Sequence, residues 1–207
     1  MGVLGSAFNP PHLGHLVLAQ EALVQLRLAK VLLVPTGRAP HKRIEPDPGS
    51  AVRVEMTRLA VEGHDRLEVS ELETGRDEVS YSYRTLELLR ERRPGEEPVW
   101  IMGADAAVDL PSWRRPERVL ELATLGVVER GGVGRSEVEA VLARLGADGG
   151  AEFVDMPAIE VSSTMVRERA AEGRPIRYLV PDAVADMIEE RSLYSGVAES
   201  AGGSRTA

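Results

Sequence analysis

The stretch Gly2-Val3-Leu4-Gly5-Ser6-Ala7-Phe8-Asn9-Pro10-Pro11-His12-Leu13-Gly14-His15 begins apolar, passes through a Gly- and Pro-marked turn and enters a segment of helical periodicity. Downstream of it Leu16, Ala19, Leu23 and Leu26 fall on one face of a 3.6-residue helix. A strand, a tight turn and a helix form the first half of a βαβ unit, and the pattern recurs along the chain. Short strands are predicted at residues 2–4, 31–34, 67–69, 99–102, 125–128 and 152–154. Helices are predicted between and after them: Val52, Met56, Leu59 and Ala60 share a face, and further helices cover 83–92, 117–122, 136–145, 163–171 and 182–190. Gly146 and Gly173 are placed to end two of these. Alternation of this kind predicts an α/β fold: an open parallel sheet with helices on both faces.

The chain has 207 residues, enough for one α/β domain with a substantial core and too few for two ordinary ones. We expect a single domain over 1–194, followed by a small, polar, Gly-rich disordered tail over 195–207. The formal net charge of −8 argues against a broad nucleic-acid surface, while leaving room for a locally positive pocket for small anions. Cysteine is absent, which removes disulfides, thiolate nucleophiles and sulfur-ligated metals together. No run approaches the roughly 20 apolar residues needed to span a bilayer, and no basic segment precedes an apolar one at the N-terminus. The expectation is a cytoplasmic protein with neither a membrane nor a nucleic-acid partner. The sequence leaves homo-oligomerisation open.

In an open α/β sheet, ligands bind beyond the carboxyl ends of the strands, where helix N-termini offer unpaired N–H groups and a positive dipole end. Gly5 and Gly14 permit close backbone approach there, and Pro10 and Pro11 stiffen the turn that aims His12 inward. His15 lies about one helical turn on, so both imidazoles can address one phosphate. The competing reading is a Pro-rich turn with ordinary histidines, against which stands the placement of two His around one Gly at a strand-to-helix junction. A zinc pair lacks a third ligand in a familiar spacing. A second signal is Val161-Ser162-Ser163-Thr164-Met165-Val166-Arg167. Hydroxyls at a helix start ordinarily cap it. Arg167, one turn later, adds a guanidinium to those hydroxyls and N–H groups, a set that suits a polyphosphate. The Pro-containing, basic loop 36–50 is long enough to serve as a lid.

The two motifs, in this order and at this separation, resemble the HxGH and (I/V)SSTxxR signatures of the nucleotidyltransferase superfamily. Intermediate segments extend the likeness to the bacterial nicotinate-mononucleotide adenylyltransferases: 35–42, ending in Pro40-His41-Lys42; 80–86; 100–113, containing Gly103-Ala104-Asp105; and Tyr178-Leu179-Val180-Pro181. The resemblance implies a Rossmann-like fold. It also implies the reaction of ATP with nicotinate mononucleotide to give deamido-NAD and pyrophosphate, by direct attack of the substrate phosphate on the α-phosphorus, with Mg²⁺ arriving on the nucleotide. It assigns His12, His15, Lys42 and Arg167 to catalysis. Gly5, Ser6, Ala7, Phe8, Gly14, Gly103, Asp105, Ser162, Ser163 and Thr164 fall to ATP, and Lys42, Thr85 and Trp113 to the mononucleotide.

The chain departs from the family pattern at four places. Ser6, Ala7 and Asn9 stand where a second Gly, a hydroxyl residue and an Asp are usual, and Arg84 stands where an acidic residue is expected. Nicotinamide mononucleotide is the alternative acceptor. A nucleotide-sensing protein without catalysis is the alternative from another class, against which both histidines are present.

Overall fold

Strand β1 (Gly2–Ser6) is the centre from which the sheet grows in both directions. It pairs in parallel with β2 (Val31–Pro35) on one side and β4 (Val99–Gly103) on the other. Strand β3 (Leu67–Val69) adds beyond β2, while β5 (Thr124–Val128) and β6 (Ala151–Val154) add beyond β4, giving the order β3-β2-β1-β4-β5-β6. All six pair in parallel. The computed structural model describes residues 1–39, 45–129, 132–147 and 150–195.

Alternate residues of each inner strand enter opposite cores, as the period-2 geometry of a strand requires. Val3, Leu32, Val34, Trp100 and Met102 face one core, and Leu4, Val31, Leu33 and Ile101 the other. The first core is closed by α3 (Ser82–Arg92), α4 (Ala104–Val108), α5 (Pro116–Leu122) and α6 (Arg135–Arg144). The second is closed by α1 (Leu13–Gln25). Burial on both faces is why the strands read as continuous apolar runs rather than alternating ones.

A third cluster joins α2 (Ser50–Ala60), α7 (Ser163–Ala171) and α8 (Asp182–Glu190) through Met56, Val166, Val184, Ile188 and Tyr194. The expected face of α2 is present, with Met56 buried and Val52, Leu59 and Ala60 partly so. The helix also buries Arg53 and Thr57 completely, a polar strip that hydrophobic periodicity does not register. In α1, Leu18, Ala19, Ala22 and Leu23 are buried, and the expected Leu16 and Leu26 flank them, partly covered. Gly146 (φ 75°) and Gly173 (φ 66°) follow the ends of α6 and α7 in the left-handed region. Two elements escape the sequence reading: the five-residue α4, and a 3-10 turn at Leu110–Ser112. Both are too short to show a period.

The chain order reverses between β1 and β4. That switch point opens a crevice at the carboxyl ends of the strands, and the site lies there.

Candidate active site

His12 is the N-cap residue of α1, extended at φ −143° and ψ 171°, and is buried. The His15 ring lies 3.9 Å from the His12 ring, centroid to centroid, and 4.9 Å from the ring of Phe8. The spacing of the motif is thus a packing requirement as well as a chemical one. A Cβ at Gly14 would come within 3.1 Å of Cε1 and Nδ1 of His12, so any side chain there would displace that imidazole. The backbone N–H of His12 donates to Nδ1 of His15 (3.3 Å), which leaves the proton of a neutral His15 on Nε2, 3.1 Å from Oγ of Ser6. The hydroxyl of Ser6 therefore lies against the Nε2 edge of His15. Phe8, at φ 48°, turns the backbone between these groups, while its ring is fully buried in the second core and packs against His15.

The motif near the end of the chain is brought onto the first one. Ser163 Oγ donates to the carbonyl of Pro10 (2.8 Å), and Arg167 donates through one terminal nitrogen to the carbonyl of Asn9 (2.7 Å) and through the other to Thr164 Oγ1 (3.2 Å). Nε of Arg167 is buried with no hydrogen-bond partner among the described residues, a donor suited to an anion. Ser162 caps α7 by accepting from the N–H of Met165 (3.1 Å). The expected convergence of three hydroxyls is therefore divided: Ser162 serves the helix, Ser163 ties it to the first loop, and Thr164 holds Arg167. Asn9 explains its own departure from the family. Its amide donates to the carbonyl of Pro46 (2.7 Å), which a carboxylate cannot do, while its oxygen accepts from the Tyr194 hydroxyl (2.7 Å).

Beside the histidines, a cleft of about 230 Å³ is lined by Gly5, Thr36, Glu73, Tyr81, Trp113 and Arg114, among others. Gly5 leaves its floor open to Trp100, whose ring would lie 3.1 Å from a Cβ at that position. Trp113 follows the 3-10 turn with one side on the first core and the other on the cleft. The Arg114 guanidinium stands 5.9 Å from the Tyr81 ring centroid at the cleft rim. Arg84, by contrast, turns along its own helix toward Glu87 (3.3 Å) and Glu91 (3.9 Å).

Thr85 lies beneath the cleft rather than in its lining. It is buried, its N–H donates to the Tyr81 carbonyl (3.0 Å) and its hydroxyl to Glu73 (2.6 Å). Gly103 is the N-cap of α4, and the exposed Asp105 is in its first turn at the carboxyl end of β4, on the far side of the switch point from α1. Lys42, like all of 40–44 in the expected lid, falls outside the described residues.

Two residues invisible as site residues in the sequence underpin the arrangement. Arg53, fully buried, donates to the carbonyls of Ala7 (2.8 Å), Thr36 (2.7 Å) and Gly37 (3.3 Å) and pairs with Asp47 (3.0 Å). Glu73, also buried, has its carboxyl pushed above the usual range by desolvation, against hydrogen bonds from Thr85, Ser80 and Gly37 and the charge of Arg53.

A switch-point crevice of this kind, with paired imidazoles at one helix start and an arginine-bearing helix start docked against it, is suited to a phosphate-bearing ligand. A family model described as cytidylyltransferase-like matches residues 3–169. A probable nicotinate-nucleotide adenylyltransferase of Synechococcus sp. is 39% identical over 94% of this chain and 96% of its own length. One from Exiguobacterium sibiricum is 40% identical over 94% and 98%. Among solved structures, the Plasmodium falciparum nicotinic acid mononucleotide adenylyltransferase complexed with NaAD superposes with a TM-score of 0.77 at 17% identity, covering 93% of this chain and 96% of that one. The chain belongs to the cytidylyltransferase-like family and, within it, to the nicotinate-nucleotide adenylyltransferases.

Proposed function

We propose that this enzyme joins nicotinate mononucleotide to the AMP part of ATP, forming deamido-NAD and releasing pyrophosphate. The observation that carries this reading is the docking of α7 on the His12–His15 loop next to an aromatic cleft, which provides one surface for a polyphosphate and another for a ring. A phosphate oxygen of the mononucleotide attacks the α-phosphorus in line, and the bond from that phosphorus to the bridging oxygen of the β-phosphate breaks. The chain contributes alignment and charge, with no covalent intermediate. His12 and His15 donate to the α- and β-phosphate oxygens as charge moves onto the leaving group. Arg167, with Ser163 and Thr164 beside it, holds the β- and γ-phosphates. Gly103 and Asp105 receive the adenosine ribose, and Trp113 stacks on the pyridinium ring.

Mg²⁺ enters in this reading with the ATP substrate, whose phosphates it accompanies. No helix among the described residues is long and apolar enough to cross a membrane. A cytoplasmic setting, where ATP is available, suits the activity.

The direct test is incubation with ATP, Mg²⁺ and a mixture of nicotinate and nicotinamide mononucleotides, with products identified by mass. An excess of deamido-NAD is expected, and equal product from both would make the enzyme dual-specific. Arg114 supplies the preference in this reading: its guanidinium is at the cleft rim, where a ring carboxylate can reach it and a carboxamide gains no charge. An exposed charge pair contributes about 1 kcal/mol. Arg114→Gln should therefore lower the ratio of the two kcat/KM values about fivefold, chiefly through KM for nicotinate mononucleotide. An unchanged ratio would remove Arg114 from substrate selection.

A further inference from the structure

Glu73 is a buried carboxyl on the wall of the cleft, and the transfer chemistry makes no use of it. Its surroundings show what it does. Thr85, one turn into α3, donates its hydroxyl to the Glu73 carboxyl at 2.6 Å and keeps a second contact with the carbonyl of Tyr81 (3.3 Å), the residue that starts the helix and lines the cleft. On the other side stands the backbone leaving β2. The N–H of Gly37 donates to Ser80 Oγ (3.1 Å), the N–H of Ser80 to the carbonyl of Arg38 (2.8 Å), and Arg38 and Val79 form a parallel bridge. A Cβ at Gly37 would lie 2.5 Å from the carbonyl oxygen of Glu73, so the two backbones are in direct contact. Three chain segments, one after β2, one after β3 and one opening α3, thus meet around a single carboxyl. All three carry cleft residues, among them Thr36, Glu73 and Tyr81.

We infer that Glu73 is a positioning residue for the acceptor mononucleotide: by holding Thr85, Ser80 and Gly37 together it sets the width of the cleft between Thr36 and Tyr81. The inference rests on the reading of that cleft as the mononucleotide site. Glu73→Gln keeps a side-chain oxygen that can accept from the Thr85 hydroxyl while removing the carboxyl. The ATP phosphates lie on α1 and α7, outside this network, and their binding does not depend on it.

The test is steady-state kinetics in both substrates for Glu73→Ala, Glu73→Gln and Thr85→Val, each checked for folding by circular dichroism. Glu73→Ala should raise KM for nicotinate mononucleotide about tenfold, in keeping with a buried hydrogen bond to a carboxyl, while KM for ATP and kcat stay within about threefold. Glu73→Gln should recover most of the loss, Thr85→Val should reproduce it, and Glu73→Ala with Thr85→Val should be no worse than either alone. Equal increases in both KM values would make Glu73 a general structural residue and overturn the inference, as would additive losses in the double variant. If Glu73→Ala does not fold, Thr85→Val and Glu73→Gln carry the same comparison. Absence of turnover by the unmodified enzyme with any mononucleotide would overturn the reading of the cleft, and this inference with it.

Discussion

Replacing either His12 or His15 by Ala is expected to lower kcat and kcat/KM together, by about 10²–10³-fold, in a protein that still folds. In the proposed mechanism each imidazole donates to charge that appears only as the bond to pyrophosphate breaks, so its loss falls on the transition state more than on ATP binding. The geometry makes the pair interdependent. His15 is held by the His12 N–H on one ring nitrogen and Ser6 on the other, while its ring packs against those of His12 and Phe8. Ala at position 15 therefore also leaves the His12 ring without its neighbour, and the double variant should be much less than multiplicatively worse than the single ones. Stability should fall by only about 1–2 kcal/mol, since His15→Ala loses two modest hydrogen bonds and two ring contacts and His12→Ala loses the ring contact between the pair. Quenched-flow or steady-state assays of adenylyl transfer measure the effect. Turnover within about threefold of normal in either variant would remove the pair from the chemistry.

What the sequence could reveal follows the physics of each signal. The four inner strands are buried on both faces and so appear as apolar runs, and α7 and α8 coincide with their expected spans, α7 marked by the Ser162 cap at its start and α8 by its apolar face. The histidine motif and the hydroxyl–Arg motif were legible for the same reason: each is contiguous. Other features depend on residues far apart in the chain. Arg53 looks like any solvated helical arginine until β1, the exit of β2 and residue 47 surround it. Glu73 stands in a run of charged residues, and only the closeness of Gly37 and α3 buries it. In the sequence Arg84 and Arg114 are two cations with nothing to tell them apart. The distinction comes from i,i+3 pairing of Arg84 with Glu87, which directs it along its helix.

The largest expected loss of stability belongs to Arg53. Its guanidinium is fully enclosed, and four oxygens receive it: the carbonyls of Ala7, Thr36 and Gly37, and Asp47. Those carbonyls leave the loop after β1 and the exit of β2, segments that cannot bond each other there because both present acceptors. Removing the donor strands them together in a space closed to water, and leaves Asp47, a third exposed, with the Gly49 N–H as its remaining contact here. Breaking a buried pair from one side destabilises by about 3–5 kcal/mol, and the partial exposure of Asp47 argues for the lower figure in Arg53→Ala. At about 2–4 °C per kcal/mol for a chain of this size, the melting temperature should fall by roughly 6–12 °C. Arg53→Lys should recover little, because one ammonium cannot reach acceptors arranged around a planar fork. Activity should fall with stability in both variants, since the Ala7 carbonyl adjoins Ser6 and Phe8, two of the residues that lie against His15. Differential scanning calorimetry with and without ATP reads both effects. A melting shift under about 3 °C for Arg53→Ala would mean that water reaches these carbonyls, and that the arginine is not what holds the histidine loop to the sheet.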